Sequence, residues 1–493
     1  RGNALHDLGQ LEEAVDSYGQ AMELQLEEAG DSCNRTIQLK LDLAEAYSNR
    51  GITLTDLGQL EAAMESYIQP DLQSAWSNLF FAVKTLQPSS CIRVDLYKKE
   101  LSENVSHRVN LAILEYKLDA FTPHAAERSF KNAIKALPSK IEEEVNNPDK
   151  PHQATERPSL PGKMIALLHF GRSGTGLLHS LIDNHPQIST LPSIYFSQYF
   201  DSAVWQKLIA EGWGRVPQRF VGQFSVLFDA NVLNPIPTIG GKFITGLGQK
   251  EGMANVGESR DESLVVDRCL FCTELDQLMG YYDKLSPMDF FTLVHAAYEK
   301  ALKNKGGKST IFYQIHNPDD YAKLNFLRYN PEARIVMMIR EPLQSCESWV
   351  KHLFDSNDYD TVFTRIITML YDIDQIAFRI QDSVGVRLED LKTHPQETMA
   401  SLCDWMEIEE QQSLYEMTAQ GKNGGEILAV PAMVTKACPL LGIRQLRGRS
   451  EVCSVKKINL FYEHSSIHLV SALVILRKTW LVSREIYSKS DHC

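Results

Sequence analysis

Ten residues from Phe170 to His179 combine glycines, an arginine and hydroxyl groups at a spacing that suits binding of an anion. They read Phe-Gly-Arg-Ser-Gly-Thr-Gly-Leu-Leu-His and follow a short apolar run from Met164 to His169. This order predicts a strand, a glycine-rich turn and a helix N-terminus. Such a turn directs backbone N–H groups to one point, where the helix dipole adds positive potential. The sequence therefore predicts a site for a phosphate-like anion. Its candidate binding residues are Gly171, Arg172, Ser173, Gly174, Thr175 and Gly176.

The glycine spacing does not fit the two common nucleotide-binding motifs. A nucleoside-triphosphate loop requires Gly, four residues, Gly, then Lys and Ser or Thr. Gly171 and Gly176 fit, but Leu177 stands where lysine is needed to hold the phosphates. The dinucleotide pattern G-x-G-x-x-G is not followed either. The cation lies within the turn, as Arg172, whose guanidinium can hold a bridging oxygen between phosphate and another acidic group. An ordinary glycine turn before a buried helix is the alternative.

A second candidate group follows an apolar run from Ala333 to Ile339, which predicts a buried parallel strand. The run ends in Arg340-Glu341-Pro342, and Ser348 follows eight residues after Arg340. Proline suits the first turn of a helix, so Ser348 is expected about two turns along that helix. An arginine at a strand end and a serine on the next helix can bind a second phosphate. Taken alone, the pair is better explained by a surface arginine and a solvated serine.

Together the two groups resemble the sulfotransferases that use 3′-phosphoadenosine 5′-phosphosulfate (PAPS). In that family an [Arg/Lys]-Ser-Gly-Thr loop holds the 5′-phosphosulfate. A strand-end arginine and a serine eight residues later hold the 3′-phosphate. Arg172 to Thr175 and the Arg340–Ser348 pair match both parts in order and spacing.

Two further runs extend the resemblance to roughly residues 163–422. Leu-Ile-Asp-Asn-His-Pro at 181–186 is similar to the protein-tyrosine sulfotransferase branch. Val386 to Leu391, followed by Pro395, resembles the family's Val-Arg-x-Glu-Asp-Leu passage from strand to helix. The resemblance implies a three-layer α/β domain with a P-loop-like, mostly parallel sheet.

The resemblance also implies a reaction, transfer of a sulfuryl group from PAPS to a hydroxyl of a protein tyrosine or a carbohydrate, with no metal required. Arg172 would neutralise charge on the leaving oxygen. The tyrosine branch carries a glutamate shortly after its His-Pro, whereas this chain has Thr190-Leu191-Pro192-Ser193 there. His316, just past a predicted strand from Thr310 to Ile315, is the substitute candidate for the catalytic base. A loop histidine without a role in proton transfer is the alternative, and Asp319 is the reserve.

The segment 193–305, between the two phosphate-binding groups, is rich in aromatic residues and is the candidate wall for the acceptor. Aromatic residues at such spacing are more often part of a core. The residues concerned are Tyr195, Phe196, Tyr199, Phe200, Trp205, Trp213 and Phe220.

Composition limits the class of protein. The chain has 493 residues, enough for two or three domains, and a net charge of −13, which argues against a general nucleic-acid binder. The apolar run from Ile467 to Leu476 is too short to span a membrane. Cys269 and Cys272 lack a second pair at metal-binding distance and are predicted to be buried thiols of a helix. The default expectation is a soluble cytoplasmic protein, although a first residue other than Met leaves room for a lost targeting segment.

Residues 1–24 and 50–73 are internal copies at an offset of 49, with 13 of the first 20 aligned positions identical. Gly9 and Gly58 mark helix–helix turns in a pattern that resembles the tetratricopeptide repeat (TPR). We therefore expect an all-α, TPR-like region over residues 1–145, with a helix from Ala125 to Leu137. Its concave surface would hold a protein, peptide or glycan acceptor, and a helical pedestal without a partner is equally compatible. Four prolines among polar residues predict a linker over 146–163.

The family-like pattern stops after Lys422, so the predicted sulfotransferase domain covers 164–422. After Gln-Gly the family continues Lys-Trp-Trp-Gly-Asp-Pro, whereas this chain has Lys422-Asn423-Gly424-Gly425-Glu426-Ile427. Restoring one nucleotide to a plausible back-translation recovers Lys-Trp-Trp-Gly-Asp, so we interpret 423–493 as an atypical, out-of-frame tail. A genuine extension is the alternative. Two rival functions stay open. One is an interaction scaffold with an inactive sulfotransferase-like domain. The other is a nucleotide kinase, which Leu177 argues against because a kinase loop needs lysine at that position.

Overall fold

The computed structural model divides the chain into two units. One comprises Arg1–Pro138 with Asp374–Ile376 and Phe461–Cys493, and the other comprises Ser139–Ile373 with Ala377–Leu460. The structure describes residues 33–34, 44–56, 59–68, 105–118, 123–137, 144–148, 158–168, 173–192, 196, 199–232, 253, 256–259, 261–304, 307–315, 320–341, 345, 381–423 and 453–454.

The first unit contains helices α1 (Ala44–Asp56), α2 (Leu60–Ile68), α3 (Val105–Leu118) and α4 (Pro123–Ala136). Helix α1 ends at Asp56 and α2 begins at Leu60, and the turn predicted at Gly58 lies outside the described residues. The helix predicted from Ala125 to Leu137 is confirmed by α4, with shifts of one or two residues at its ends. The assignment of these helices to TPR repeats stays a prediction.

A close contact between Gly51 and Tyr67 joins α1 to α2. Tyr67 is buried, and a Cβ added to Gly51 would collide with its ring. Both residues recur in the first copy, as Gly2 and Tyr18. The duplicated sequence therefore preserves both members of a contact that only glycine allows.

The second unit is built on a six-stranded sheet with the order β10-β7-β6-β2-β5-β3, in which all neighbours are parallel except β10 and β7. Its strands are β2 (Lys163–Leu168), β3 (Ile188–Ser189), β5 (Thr310–Ile315), β6 (Arg334–Ile339), β7 (Ser383–Arg387) and β10 (Cys453–Ser454). The central strands are continuous apolar runs because both faces of such a sheet are covered. The prediction of β5 is confirmed at the same bounds, and that of β6 with a start one residue later.

Two short antiparallel ladders accompany this sheet. They pair β1 (Val145–Asn146) with β4 (Lys284–Leu285), and β8 (Thr418–Ala419) with β9 (Lys422–Asn423). Strand β1 spans the predicted boundary between the helical region, which ends at residue 145, and the linker, which starts at 146. It belongs to the second unit.

Eight helices are described in the second unit. They are α5 (Thr175–Ile182), α6 (Ser202–Ile209), α7 (Val216–Gln223), α8 (Arg268–Met279), α9 (Pro287–Ala301), α10 (Asp320–Tyr329), α11 (Leu388–Thr393) and α12 (Pro395–Met406). Short 3-10 segments lie at Trp213–Arg215, Ser225–Leu227 and Gln412–Tyr415.

Helices cover both faces of the sheet. On one face, Ile165 and Val336 share a buried cluster with Leu178 of α5 and Leu402 of α12. On the other face, the Tyr313 ring lies 5.1 Å from Phe291 of α9 and 5.4 Å from Phe326 of α10. The described part of this unit therefore has the expected α/β layout, with helix, sheet and helix in three layers.

The aromatic residues considered as a wall for the acceptor belong to the core where the structure describes them, with the exception of Trp213, which is half-buried. Those in the core are Phe196, Tyr199, Phe200, Trp205 and Phe220, none of them more than 3% exposed. Phe196 alone contacts six other rings, including a stacked Phe291 at 5.3 Å. The acceptor-wall prediction is therefore wrong for these residues.

A buried polar cluster fixes β3 against α9. The Ser189 hydroxyl donates to Glu299 Oε1 over 2.7 Å and lies 3.0 Å from His295 Nδ1. Because the only hydroxyl proton goes to Glu299, Nδ1 of His295 must carry its own proton and donate to the serine oxygen. Burial lowers the pKa of His295 from 6.5 to about 3, so the ring is neutral at neutral pH.

We expect the free energy of unfolding to fall as the pH is lowered from 6.5 towards 3. In the unfolded chain this histidine binds a proton below about pH 6.5, whereas folded His295 stays neutral down to about pH 3 because its pKa is lowered. Such a mismatch costs up to about 1.4 kcal/mol per pH unit. Urea denaturation between pH 7 and 4 checks this in the wild type and in His295→Asn, whose amide can replace the Nδ1 donor. The variant should show a shallower pH dependence, and an unchanged slope would contradict the assignment.

Candidate functional site

The glycine-rich turn leads into α5 as predicted. Strand β2 ends at Leu168, and α5 begins at Thr175 with Gly174 as its N-cap residue. Gly174 has φ 90° and ψ 22°, the left-handed region that glycine adopts without strain. Gly171 and Arg172 lie outside the described residues, whereas Ser173, Gly174, Thr175 and Gly176 lie within them.

Two features of the described half of this turn suit a ligand. Ser173 is 1% exposed, and its hydroxyl has no hydrogen-bond partner among the described residues. A buried polar atom without a partner costs free energy, so native proteins seldom keep one without a use. The first N–H groups of α5 start at the same point and carry the positive end of the helix dipole.

The turn packs directly against the start of α11. A Cβ added to Gly174 would lie 2.5 Å from Leu388 Cδ1. Leu388 is the first residue after β7, so a strand two positions away in the sheet braces the turn after β2. Glycine is therefore required at 174 both by its backbone angle and by this neighbour.

The second predicted group lies at the same sheet edge. Arg340 follows β6 directly and is half-buried, and β6 lies between β2 and β7. The carboxyl ends of parallel strands meet at one edge, so the fold brings Arg340 to the same edge as Ser173, Gly174 and Thr175. Ser348, His316 and Asp319 lie outside the described residues.

Two side chains at this edge were missed by sequence analysis. Glu389 accepts the N–H of Glu341 over 3.0 Å through Oε1. Lys392 has its pKa lowered by burial and by the positive charge of Arg340, while the negative charge of Glu389 raises it. Glu389 belongs to the passage from strand to helix that resembles the family and Lys392 directly follows it, but that pattern does not say what they contact.

His179 is a third missed residue. It lies one turn after Thr175 on α5, with Nε2 buried and without a partner in the described part of the chain. Burial lowers its pKa, against a smaller upward influence of Asp183 and of a hydrogen bond with the Leu191 backbone. Because Nε2 is unbonded, that hydrogen bond involves Nδ1, and the neutral ring keeps a lone pair on Nε2. Thr175, His179 and Asp183 recur every four residues, a polar stripe visible in the sequence.

Asp183 fixes the end of α5. Its carboxylate is 6% exposed and accepts four hydrogen bonds. Their donors are Thr190 Oγ1 at 2.7 Å, Thr418 Oγ1 at 2.9 Å, the Gly421 backbone N–H at 2.9 Å and Gln420 Nε2 at 3.3 Å. The helix that carries the anion turn is thus held by the β8–β9 hairpin.

His185, the histidine of the His-Pro pair, has a structural role. Its Nε2 donates to the Glu409 carbonyl over 2.7 Å, and its Nδ1 accepts the Gln187 N–H over 3.2 Å. Both ring nitrogens are therefore engaged in holding the chain after α5, and neither is available for proton transfer.

The described residues contain no cluster of three or more His, Cys, Asp or Glu arranged to hold a metal ion. Cys269 and Cys272 lie on α8 as predicted, but Cys269 is exposed and Cys272 half-buried, so their predicted burial is wrong for Cys269. Cys269 lies on the exposed side of α8, away from the buried residues Phe271, Leu275, Leu278 and Met279. None of the described helices has the length and apolarity that a membrane span needs.

We expect Gly174→Ala to destabilise the second unit and to weaken anion binding. The left-handed backbone alone costs a non-glycine residue about 1–2 kcal/mol, and the new methyl group must displace Leu388. Urea denaturation of the variant measures the loss. Gly222→Ala on α7 is the matched control, because an added Cβ there meets nothing within 4 Å. The control should be neutral or stabilising, and equal effects of both changes would contradict the prediction.

Comparison with known proteins gives one family match. Residues 271–412 match the model described as the sulfotransferase family, a segment that includes Arg340 and the start of α11 but not the glycine-rich turn. Among solved structures, the chain is similar to the sulfotransferase domain from the Synechococcus PCC 7002 olefin synthase. The TM-score is 0.30 at 14% identity, over 55% of this chain and 82% of that chain. The search of curated proteins found no match.

Proposed function

We propose that the sulfotransferase-family domain of this chain transfers a sulfuryl group from PAPS to a hydroxyl acceptor. The observation that carries the proposal is the meeting of two groups at one sheet edge. One is the turn at Ser173–Gly174, which begins α5 at Thr175, and the other is Arg340 after β6. The family match covers the second group, and the first has the buried, unbonded hydroxyl that an anion site would use.

The residues of the turn fit the 5′-phosphosulfate. PAPS supplies an activated sulfuryl group, which the acceptor oxygen attacks as the bond from sulfur to the phosphate oxygen breaks. In this proposal, the N–H groups of Gly174, Thr175 and Gly176 and the Ser173 hydroxyl bind the phosphosulfate oxygens. Arg172 neutralises the negative charge that develops on the leaving oxygen. Arg340 and Ser348 bind the 3′-phosphate.

The acceptor must lose its proton to a base. His316 is our first candidate because it directly follows β5 at the carboxyl edge of the sheet. His179 is the second, because its neutral ring uses Nδ1 for the Leu191 backbone and keeps a lone pair on Nε2. Leu191 lies in the stretch where the tyrosine branch has its glutamate.

Rate–pH profiles of His316→Ala and His179→Asn separate the two candidates. The asparagine can keep the bond to Leu191 while removing Nε2. The variant that loses its rate, with binding of adenosine 3′,5′-bisphosphate intact, identifies the base. Full transfer rates in both variants would exclude both residues.

We further propose that the acceptor hydroxyl belongs to a tyrosine or a sugar, and that the repeat region holds the molecule that carries it. Gly51 and Tyr67 contact each other, and their recurrence in the sequence as Gly2 and Tyr18 supports a repeated helical surface. No nucleic acid is involved in this proposal.

Sulfate transfer from labelled PAPS to tyrosine peptides and to glycans tests the proposal. It should be run with this chain and with a chain whose frame after Lys422 is restored, together with thermal shifts in PAPS and in ATP. Transfer supports the enzyme. A shift in PAPS without transfer supports the inactive scaffold, and a shift in ATP alone supports the kinase. Absence of both transfer and a PAPS-dependent shift in both chains would refute the proposal.

A further inference from the structure

The first turn of α11 contacts both phosphate-binding groups through neighbouring residues. Leu388 packs on Gly174, the N-cap of the helix that starts the first group. Glu389 accepts the N–H of Glu341, the residue directly after Arg340. A shift of this single turn would therefore move the backbone at both groups.

The hydrogen bond from Glu341 to Glu389 fixes the chain where it leaves β6. Strand β6 is held by its neighbours up to Ile339, where it pairs with Arg387. The pairing of β6 with β7 ends there. Two residues later, the Glu341 N–H donates to the Glu389 carboxylate. The position of Arg340, between Ile339 and Glu341, is thus determined on both sides.

The charges around Glu389 fit the same role. Burial and the positive charge of Arg340 lower the pKa of Lys392, and the negative charge of Glu389 raises it. Its second oxygen, Oε2, is buried and has no hydrogen-bond partner among the described residues. Lys392 follows Glu389 by three residues on α11, and a carboxylate near an ammonium group favours its charged form before an anionic ligand arrives.

We propose that Glu389 is a positioning residue for the 3′-phosphate, which holds Arg340 in place through the Glu341 backbone and keeps Lys392 beside it. The inference rests on the proposed function, because it assigns Arg340 to the 3′-phosphate of PAPS. It adds Lys392 as a second cation at that phosphate. It predicts that loss of Glu389 affects recognition of the 3′-phosphate more than recognition of the 5′ end.

The test compares two ligands that differ only in the 3′-phosphate, adenosine 3′,5′-bisphosphate and adenosine 5′-monophosphate. Isothermal titration gives the ratio of their dissociation constants for the wild type. We expect Glu389→Ala to reduce this ratio about tenfold, a size typical for loss of a contact that orients a binding group. Affinity for the monophosphate should change less than about twofold, since this ligand makes no use of Arg340 in the proposal.

Glu389→Gln and Asp390→Ala complete the design. Glutamine keeps an oxygen that can accept the Glu341 N–H, so it should restore most of the ratio. Asp390 is the next acidic residue on α11 and pairs with Arg387 over 3.7 Å, so its loss should leave the ratio unchanged. Lys392→Ala should lower the ratio as Glu389→Ala does.

The outcomes are distinct. Failure to bind either ligand, both in this chain and in the chain whose frame after Lys422 is restored, would refute the proposed function itself. A wild type that prefers the bisphosphate, with Glu389→Ala weakening both ligands equally, would overturn the positioning role and leave the proposed function standing. An unchanged ratio in folded Glu389→Ala would also overturn the positioning role.

Discussion

Replacing Arg172 with alanine is expected to lower kcat for sulfuryl transfer by about 100- to 1000-fold, the usual loss for one donor at a developing negative charge. The reason is the position of this cation within the anion turn, next to Ser173 and Gly174. In the proposed reaction, charge on the leaving oxygen grows as the bond to sulfur breaks, so an arginine beside that oxygen would stabilise the transition state more than the bound substrate. Turnover of labelled PAPS under saturating conditions measures the effect.

The same variant should keep most of its affinity for adenosine 3′,5′-bisphosphate, because the proposed function assigns the two phosphates to Arg340 and to the N-terminus of α5. Arg172→Lys should recover part of the rate, since a lysine supplies the charge without the forked geometry. Arg268→Ala, which removes an exposed arginine 3.9 Å from Asp229, is the control and should be neutral. A rate within threefold of wild type in Arg172→Ala would contradict the role.

Replacing Asp183 with alanine is expected to lower the free energy of unfolding by about 3–5 kcal/mol. The buried carboxylate accepts four hydrogen bonds, and its removal leaves the donors from Thr190, Thr418 and the Gly421 backbone without their acceptor. Buried donors left without a partner each cost a desolvation penalty. Urea denaturation of the variant at neutral pH measures the loss.

Asp201→Ala is the matched control for this change. Asp201 is the N-cap residue of α6, and its side chain accepts one hydrogen bond, from the Ala203 N–H over 2.8 Å. Loss of such a cap costs about 0.5–2 kcal/mol. A cost for Asp183→Ala no greater than that for Asp201→Ala would show that the carboxylate does not fix the hairpin.

Local sequence determines much of the fold at this edge. Strand β5 has the bounds that the sequence predicts, Thr310 to Ile315, and all six of its residues are buried. The start of α5 was predicted because glycines before an apolar helical segment have few other uses. Both inferences depend on residues that are neighbours in the chain, whose conformational preferences act wherever the segment lies.

The contacts that complete the site depend on residues far apart in the chain. Leu388 reaches Gly174 because β7 and β2 flank β6 in the sheet, an order that neither segment encodes alone. Glu389 was noticed only as part of a family-like pattern, and its bond to Glu341 spans 48 residues. The burial of the aromatic residues near Phe196 is equally hard to predict, since their spacing in the sequence does not distinguish a core from an exposed wall.

The bonds from the hairpin to Asp183 have a consequence for how the chain is made. Thr418 and Gly421 are 235 and 238 residues further along the chain than the carboxylate that they bind. At synthesis rates of 5–20 residues per second, the ribosome needs roughly 12 to 47 seconds to cover that distance. During this interval Asp183 at the end of α5 lacks the donors from Thr418 and Gly421. The helix that follows the glycine-rich turn is therefore among the first of its unit to be synthesised and among the last to complete its hydrogen bonds.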